Sequence, residues 1–214
     1  MIESNTYPVH LRLENQRVLV VGGGNVAINK IAGLRRAGAA ITVIAPSIRP
    51  EIRDLPDIQT ITRPYERGEV ASYRLAITCT DDPETNRQVF TDGEAAGVWV
   101  NSADDPEHCR FILPAVARQG DLSLTISTAG RSPALATWLR RRFEHEFDDS
   151  YQQLLDVLTE VRAEAKTHLG TSEVRGWTEA LDDGVLDLVV AGMREDAKDK
   201  LREHLGLPSP AVQR

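Results

Sequence analysis

The chain has 214 residues, of which 41% are hydrophobic and 27% charged, a composition typical of a globular protein with room for one domain and a smaller appendage. Its formal net charge of −7, most of it in residues 148–214, argues against nucleic acid as a partner, and no apolar run approaches the about 18 residues that would span a membrane. Cys79 and Cys109 show neither metal-ligand spacing nor a disulfide framework, and the first ten residues do not resemble a secretory signal, so we expect a cytoplasmic protein.

A run of three glycines follows the first predicted strand. The strand Val18–Val21 leads into Gly22–Gly24, and helix-spaced apolar residues after the run predict a helix over Val26–Ala37. Gly22-x-Gly24-x-x-Ala27 matches the alanine form of the G-x-G-x-x-G/A fingerprint, and a strand over Ile41–Ala45 completes a βαβ unit. A glycine turn lets a phosphate approach the backbone, and the helix start supplies unpaired N–H groups. The pattern therefore predicts a dinucleotide site, with a plain tight turn of an α/β domain as the alternative.

The acidic residue of this fingerprint, expected about 20 positions after the glycines, is absent. After the second strand the chain reads Pro46-Ser47-Ile48-Arg49. Ribose contacts would then come from backbone groups or from Ser47, while Arg49 is either a contact to a 2′-phosphate or an ordinary solvated charge. The residues by themselves leave the choice between NAD and NADP open.

Strands and helices alternate over the first 100 residues. Further strands are predicted at Ile58–Thr62, Leu75–Thr80 and Val98–Val100, with a short turn near Glu51 and a helix over Glu84–Ala96. Such alternation predicts a parallel, Rossmann-like sheet with helices on its faces. The loops that follow the strands would meet at one crevice, which is where sheets of this kind bind their ligands.

The pattern changes after residue 110. Leu122–Ser127 alternates with period two and predicts a half-buried strand, and Ser132 with Pro133 predicts the start of an amphipathic helix. A strand pair with one helix buries too little surface to stand alone, so we expect it to pack against a second copy of the chain. We therefore expect an α/β fold in three parts: a Rossmann-like NAD-binding domain (1–113), a small α+β dimerisation segment (114–147) and a C-terminal helical segment (148–214).

Several motifs occur in one order along the chain. They are Gly22-Gly23-Gly24-Asn25-Val26-Ala27 with Lys30, Thr80-Asp81-Asp82 with Asn86, Val100-Asn101-Ser102-Ala103-Asp104, Phe111-Ile112-Leu113-Pro114 and Ser127-Thr128-Ala129-Gly130-Arg131-Ser132-Pro133. This arrangement resembles the precorrin-2 dehydrogenase family, the amino-terminal half of bacterial siroheme synthase and its stand-alone relatives, over about residues 7–165. The resemblance implies NAD-dependent oxidation of precorrin-2 to sirohydrochlorin, a step of siroheme (porphyrin-related tetrapyrrole) biosynthesis, by an intertwined homodimer. Some members also insert Fe²⁺, and whether this chain is a ferrochelatase too, or contacts a separate chelatase, is left open.

The resemblance also assigns residues to catalysis and to the cofactor. Asp104 aligns with the family's proposed catalytic aspartate, and a carboxylate beside the nicotinamide could accept the proton that the macrocycle loses after hydride transfer. The alternative role for Asp104 is to cap a turn before Pro106, and Asp105 beside it is a competing candidate. The predicted cofactor contacts are Gly22, Gly23, Gly24, Asn25, Val26, Pro46, Ser47, Thr80 and Asp81.

Substrate contacts are expected from residues that bind carboxylates, because the substrate implied by the resemblance carries several of them. The candidates are Ser127, Thr128, Arg131 and Arg110. His108 and Cys109 lack a third partner at ligand spacing, so no metal site is predicted. The competing hypothesis is a non-catalytic dinucleotide-sensing module whose helical tail binds a partner, since the same glycine turn would serve it.

Overall fold

The computed structural model describes residues 6–103 and 105–208. The chain divides into two compact units, the first ending at Leu113 and the second beginning at Pro114. The further division expected at residue 147 stays a prediction.

The first unit is built on a five-stranded sheet whose neighbouring strands are all parallel. The strands are β1 (Arg17–Val21), β2 (Ala40–Ala45), β3 (Ile58–Thr62), β4 (Leu75–Thr78) and β5 (Trp99–Ser102). They lie in the order β3-β2-β1-β4-β5, so the direction of winding reverses between β1 and β4. The central strands are rich in valine and isoleucine and almost wholly buried, as strands covered on both faces must be. The crevice at such a reversal is where a ligand binds in sheets of this type.

Helices cover both faces of this sheet. They are α1 (Asn25–Arg36), α2 (Pro50–Arg53) and α3 (Pro83–Ala96), with 3₁₀ turns at Glu69–Ser72 and Pro106–His108. Ile31 of α1 packs in one core cluster with Val18 and Val20, while Val89 of α3 packs in another with Leu19. Alternate residues of β1 therefore serve two separate cores, which is the pattern of a sheet between two helical layers. The predicted Rossmann-like fold is confirmed.

Several strand ends differ from the sequence prediction by one or two residues, and contacts between segments account for two of them. β4 stops at Thr78, and the backbone carbonyl of Thr80 beyond it accepts a hydrogen bond from the side-chain amide of Asn86 in α3 (3.0 Å) rather than from a neighbouring strand. β5 begins one residue later than expected, because the N–H of Val98 donates to the carbonyl of Gly93 (2.9 Å) and closes the end of α3. Gly97, with a φ of 68°, supplies the left-handed residue that this helix ending requires.

The second unit combines an antiparallel hairpin with helices. The hairpin is β6 (Ala115–Gln119) and β7 (Leu122–Ile126). The helices are α4 (Pro133–Glu146), α5 (Asp149–Leu169), α6 (Trp177–Ala180), α7 (Leu186–Val190) and α8 (Arg194–Leu205), and the segment Leu181–Val185 is kinked at Asp183 and Gly184. The expected cap of α4 is present, since the hydroxyl of Ser132 accepts a hydrogen bond from the N–H of Leu135 (3.2 Å). The helical core is centred on Val157 and Val161 of α5 and Leu201 of α8.

Candidate functional site

The first two glycines of the turn are required by the packing of the protein itself. Gly22 has a φ of +119°, and a Cβ there would lie 2.5 Å from the carbonyl oxygen of Cys79. A Cβ on Gly23 would lie 2.4 Å from the carbonyl oxygen of Ser47. Neither distance is physically possible, so the loops that follow β2 and β4 pack directly against this turn.

Gly24 differs from its two neighbours. It is exposed, its φ of −94° is open to any residue, and a Cβ built on it meets no atom within 4 Å. Nothing in the described protein therefore requires a glycine here. Because Gly24 has no side chain, a group such as a pyrophosphate can approach the backbone at the start of the helix from solvent.

The start of α1 has the features of an anion-binding helix terminus. No side chain caps the helix, and its first turn holds no acidic residue. The first helical hydrogen bond runs from the N–H of Ile28 to the carbonyl of Gly24 (3.2 Å), so the amides of Asn25, Val26 and Ala27 lie outside the helical ladder. Asn25 and Val26 are exposed. These amides and the positive end of the helix dipole form the cradle that the fingerprint predicts for a diphosphate.

The loops at the carboxyl edge of the sheet meet at this cradle. The N–H of Arg49 donates to the carbonyl of Gly23 (3.1 Å), which ties the loop after β2 to the glycine turn. Pro46 and Ser47 in that loop are exposed. The N–H of Ala103 donates to the carbonyl of Thr78 (3.0 Å), which brings the end of β5 beside the end of β4.

The loop after β4 is organised by the start of α3. The hydroxyl of Thr80 donates to the amide oxygen of Asn86 and accepts from the N–H of Asp82 (3.1 Å). Asp82 caps α3 by accepting from the N–H of Glu84 (3.0 Å), and the hydroxyl of Thr85 beside it lowers the pKa of the carboxyl. The hydroxyl of Thr80 is thus engaged in hydrogen bonds within the protein, whereas Asp81 is exposed to solvent.

The predicted catalytic residue, Asp104, lies outside the described residues. Cys109 contacts residues on both sides of that position. The thiol of Cys109 accepts a hydrogen bond from the N–H of Ser102 (3.2 Å) and donates to the carbonyl of Asp105 (3.2 Å). Burial raises the pKa of this thiol, so it stays protonated and able to donate at neutral pH. Cys109 therefore connects Ser102 with Asp105, which lie on the two sides of position 104. The spacing of Cys109 in the sequence did not predict this role.

Asp105, the competing candidate for the catalytic base, is engaged elsewhere. Its carboxylate lies 2.8 Å from Nδ1 of His108, and this contact lowers the pKa of the carboxyl. The imidazole packs edge-on against the ring of Phe90, with the ring centroids 5.1 Å apart. The arrangement fits a turn anchor better than a proton acceptor, since a carboxylate with a lowered pKa is a weaker base.

Arg110, a predicted substrate contact, already holds a carboxylate. Its guanidinium pairs with both oxygens of Glu94 and lies over the ring of Phe90. A substrate carboxylate would have to compete with Glu94 for the same donors.

In the second unit, the loop before α4 uses its hydroxyl groups to shape its own backbone. Ser127 accepts from the N–H of Ala129 (3.2 Å), and Thr128 accepts from the N–H of Ser132 (3.1 Å). Ala129 has a φ of +52°, which is unusual for a residue with a Cβ, and strain of this kind often marks a functional loop. Arg131 is exposed.

A metal centre is not evident in the part of the chain that the structure describes. Over residues 6–103 and 105–208, no three His, Cys, Asp or Glu side chains are grouped so that they could hold an ion.

Comparison with known proteins covers both units. Residues 9–115 match the family described as "Putative NAD(P)-binding", and residues 119–146 match "Sirohaem biosynthesis protein central". A solved structure named "SirC, precorrin-2 dehydrogenase" superimposes with a TM-score of 0.68 and 28% sequence identity, over 94% of this chain and 98% of that chain. The chain belongs to the family described as "Putative NAD(P)-binding". The resemblance drawn from its motifs is confirmed, and a nicotinamide dinucleotide is its cofactor.

Curated relatives of this family are longer proteins. The siroheme synthase of Psychrobacter arcticus (strain DSM 17307 / VKM B-2377 / 273-4) is 36% identical over 94% of this chain but only 38% of its own length. The siroheme synthase of Nitrosococcus oceani (strain ATCC 19707 / BCRC 17464 / JCM 30415 / NCIMB 11848 / C-107) is 35% identical over 92% of this chain and 43% of its own length. The chain thus spans about two fifths of these relatives. In the residues described, no helix has the length and apolarity needed to cross a lipid bilayer.

Proposed function

We propose that this chain is an NAD-dependent precorrin-2 dehydrogenase that oxidises precorrin-2 to sirohydrochlorin. The observation that carries the proposal is the likeness to a precorrin-2 dehydrogenase over 94% of this chain, because it extends through the second unit as well as the dinucleotide domain. A dinucleotide-sensing module with a partner-binding helical tail would not need the loop at Ser127–Pro133, which lies within the segment that matches the sirohaem biosynthesis family. The open cradle at Gly24 supports the same conclusion from the physical side.

The cofactor in this proposal is NAD⁺, which when bound supplies the hydride acceptor. The amides of Gly24, Asn25 and Val26 bind its diphosphate, and Pro46 and Ser47 lie beside its adenosine ribose. The rim of the same crevice is formed by Thr80 and Asp81. The glycine contacts support this arrangement, since both flanking loops pack against the turn.

Asp104 acts as the general base. The carboxylate of Asp104 would accept the proton that the substrate loses and bound NAD⁺ would supply the acceptor for the hydride, so that the two losses together balance a two-electron oxidation. A negative charge at this position also stabilises the cation that develops on the macrocycle. The engagement of Asp105 by His108 supports the choice of Asp104 over its neighbour.

The substrate carboxylates are bound by Ser127, Thr128, Arg131 and Arg110. Arg131 is exposed and offers the planar, bidentate donor set that carboxylates prefer. Arg110 binds a substrate carboxylate after its ion pair with Glu94 has been broken.

We also propose that the protein is a cytoplasmic homodimer joined through residues 114–147. The support is the exposure of two large apolar side chains on α4, Leu135 (47%) and Trp138 (55%), which water would disfavour in an isolated subunit. The contact of the helical tail with a separate chelatase stays a prediction from the sequence.

The test is an anaerobic assay of the purified protein with precorrin-2 and NAD⁺, in which NADH absorbance should rise in step with sirohydrochlorin. Asp104→Asn should lower kcat at least about a hundredfold, within the range that one general base contributes, and leave NAD⁺ binding unchanged. Asp105→Asn is the matched control and should keep most of the activity. If wild-type protein binds NAD⁺ but oxidises no precorrin-2, the sensing module is the better description.

A further inference from the structure

Arg49 occupies the position where a Rossmann-like domain distinguishes NADP from NAD. It lies in the loop after β2, and its N–H is bonded to the carbonyl of Gly23 (3.1 Å), so its backbone is fixed to the glycine turn. In this fold an acidic residue near the end of the second strand binds the ribose 2′-hydroxyl, and an arginine nearby accommodates a 2′-phosphate. The acid is absent here and the arginine is present, so the sequence does not decide between NAD and NADP.

The side chain of Arg49 is already occupied by a carboxylate. Its Nη2 lies 2.6 Å from Oε1 of Glu51, and its Nε donates to Oε2 of the same residue (3.3 Å). This is the two-pronged geometry with which a guanidinium binds a phosphate. Arg53, another cation of the same segment, donates to the carbonyl of Ile48 (2.8 Å), so its orientation is set by the backbone of the loop.

We propose that Glu51 is the residue that determines cofactor preference, by holding the guanidinium of Arg49 so that a ribose with a free 2′-hydroxyl is accepted and a 2′-phosphate is disfavoured. A 2′-phosphate has to displace Glu51 from Arg49, and the displaced carboxylate then stays close to the new negative charge. NAD leaves the pair intact. The inference rests on the proposed function, because it assumes that the cradle at Gly24 binds a nicotinamide dinucleotide.

The pair is exposed, so its effect is one of specificity rather than of stability. The side chains of Arg49 and Glu51 are 47% and 51% exposed. An ion pair in such surroundings adds little to the free energy of folding. Repulsion between like charges at a binding surface, by contrast, discriminates well between ligands that differ by one phosphate.

The experiment measures binding of two probes that differ only in the 2′-phosphate: adenosine 5′-monophosphate and adenosine 2′,5′-bisphosphate. Isothermal titration of the full chain gives both dissociation constants without any chemical turnover. Glu51→Gln should tighten the bisphosphate about tenfold and leave the monophosphate within about twofold. Adding Arg49→Gln to that variant should abolish the gain, because the released guanidinium is the group that binds the phosphate.

Asp57→Asn is the matched control. Asp57 pairs with Arg35 at 2.8 Å, with side-chain exposures of 50% and 38%. It directly precedes β3, so it lies at the amino-terminal ends of the strands, whereas Arg49 and Glu51 follow the carboxyl end of β2. The substitution makes the same change in net charge as Glu51→Gln. An equal gain in bisphosphate binding in both variants would show a general charge effect and overturn the inference. No gain in Glu51→Gln, or tighter binding of the bisphosphate by the wild-type protein, would overturn it too.

The same titrations with NAD⁺ and NADP⁺ separate this inference from the proposed function. Wild-type protein that binds neither dinucleotide would refute both. NAD⁺ binding with the expected response to Glu51→Gln would support the inference even if precorrin-2 were not oxidised, an outcome that would refute only the proposed function.

Discussion

Replacing Gly24 by alanine should separate ligand binding from folding. The Cβ of the new residue would meet no protein atom within 4 Å, and its φ of −94° suits alanine. Alanine is a poorer N-cap than glycine by about 0.5 kcal/mol or a little more. It also restricts the unfolded chain, which stabilises the fold by about 0.4–1 kcal/mol. These effects nearly cancel, so the free energy of unfolding should change by no more than about 0.5 kcal/mol.

The effect of Gly24→Ala on the dinucleotide should be much larger. The methyl group would project into the space from which the diphosphate approaches the amides of α1. The loss of one or two charge-assisted hydrogen bonds, each worth about 1.5–3 kcal/mol, should weaken NAD⁺ binding at least about tenfold. Titration of NAD⁺ gives the dissociation constant, and urea unfolding monitored by circular dichroism gives the stability of the same preparation.

Gly23→Ala is the matched comparison, one residue earlier in the same turn. Its Cβ would lie 2.4 Å from the backbone oxygen of Ser47, which belongs to a loop tied to this turn by the N–H of Arg49. We expect a loss of stability of about 1–3 kcal/mol from overpacking. If Gly24→Ala binds NAD⁺ as tightly as the wild-type protein, or is destabilised as much as Gly23→Ala, the assignment of Gly24 to the diphosphate is wrong.

Two further predictions concern ion pairs. Arg202 is buried (6% exposed) and pairs with both oxygens of Glu164 and with Asp199. Because Asp199 remains as a partner, Glu164→Gln should lower the free energy of unfolding of the second unit by about 1–3 kcal/mol, the worth of hydrogen bonds to a charged group, as measured by urea unfolding, and an unchanged midpoint would contradict it. The pKa of Asp105 is lowered by His108, so the stability from this pair is present above the unfolded pKa of about 3.9 and is lost as the pH falls through the lower folded value. Asp105→Asn should therefore lose less stability between about pH 5 and pH 2 than the wild-type protein, as followed by thermal melts, and parallel losses would refute the coupling.

The Rossmann-like domain could be predicted because its signals are local. Buried strands such as β1 read as short runs of β-branched residues, and Asp82 with Pro83 marks the start of α3 through chemistry confined to a few neighbouring positions. The ends of β4 and β5 were misjudged because they depend on contacts between segments. The carbonyl of Thr80 accepts from the side-chain amide of Asn86, and the N–H of Val98 donates to the carbonyl of Gly93, so neither backbone group is available to continue a strand.

The candidate site was predictable only in part, for the same reason. The fingerprint treats Gly22, Gly23 and Gly24 as one motif, and no sequence rule separates a glycine that avoids Cys79 or Ser47 from one that faces solvent. That separation requires knowing which loops pack against the turn, which is a property of the folded sheet.

Cofactor preference illustrates why a motif residue has to be considered together with the side chains that it contacts. An arginine after β2 with no acid at the strand end is compatible with a 2′-phosphate but leaves the choice between NAD and NADP open. The acid is present in this chain, two residues beyond the arginine at Glu51, and it contacts the guanidinium of Arg49 rather than the ribose. If Glu51 holds the guanidinium as we propose, specificity is a property of the pair and not of Arg49 alone. It follows that cofactor preference in this family should be inferred from the partner of the arginine as well as from the arginine itself.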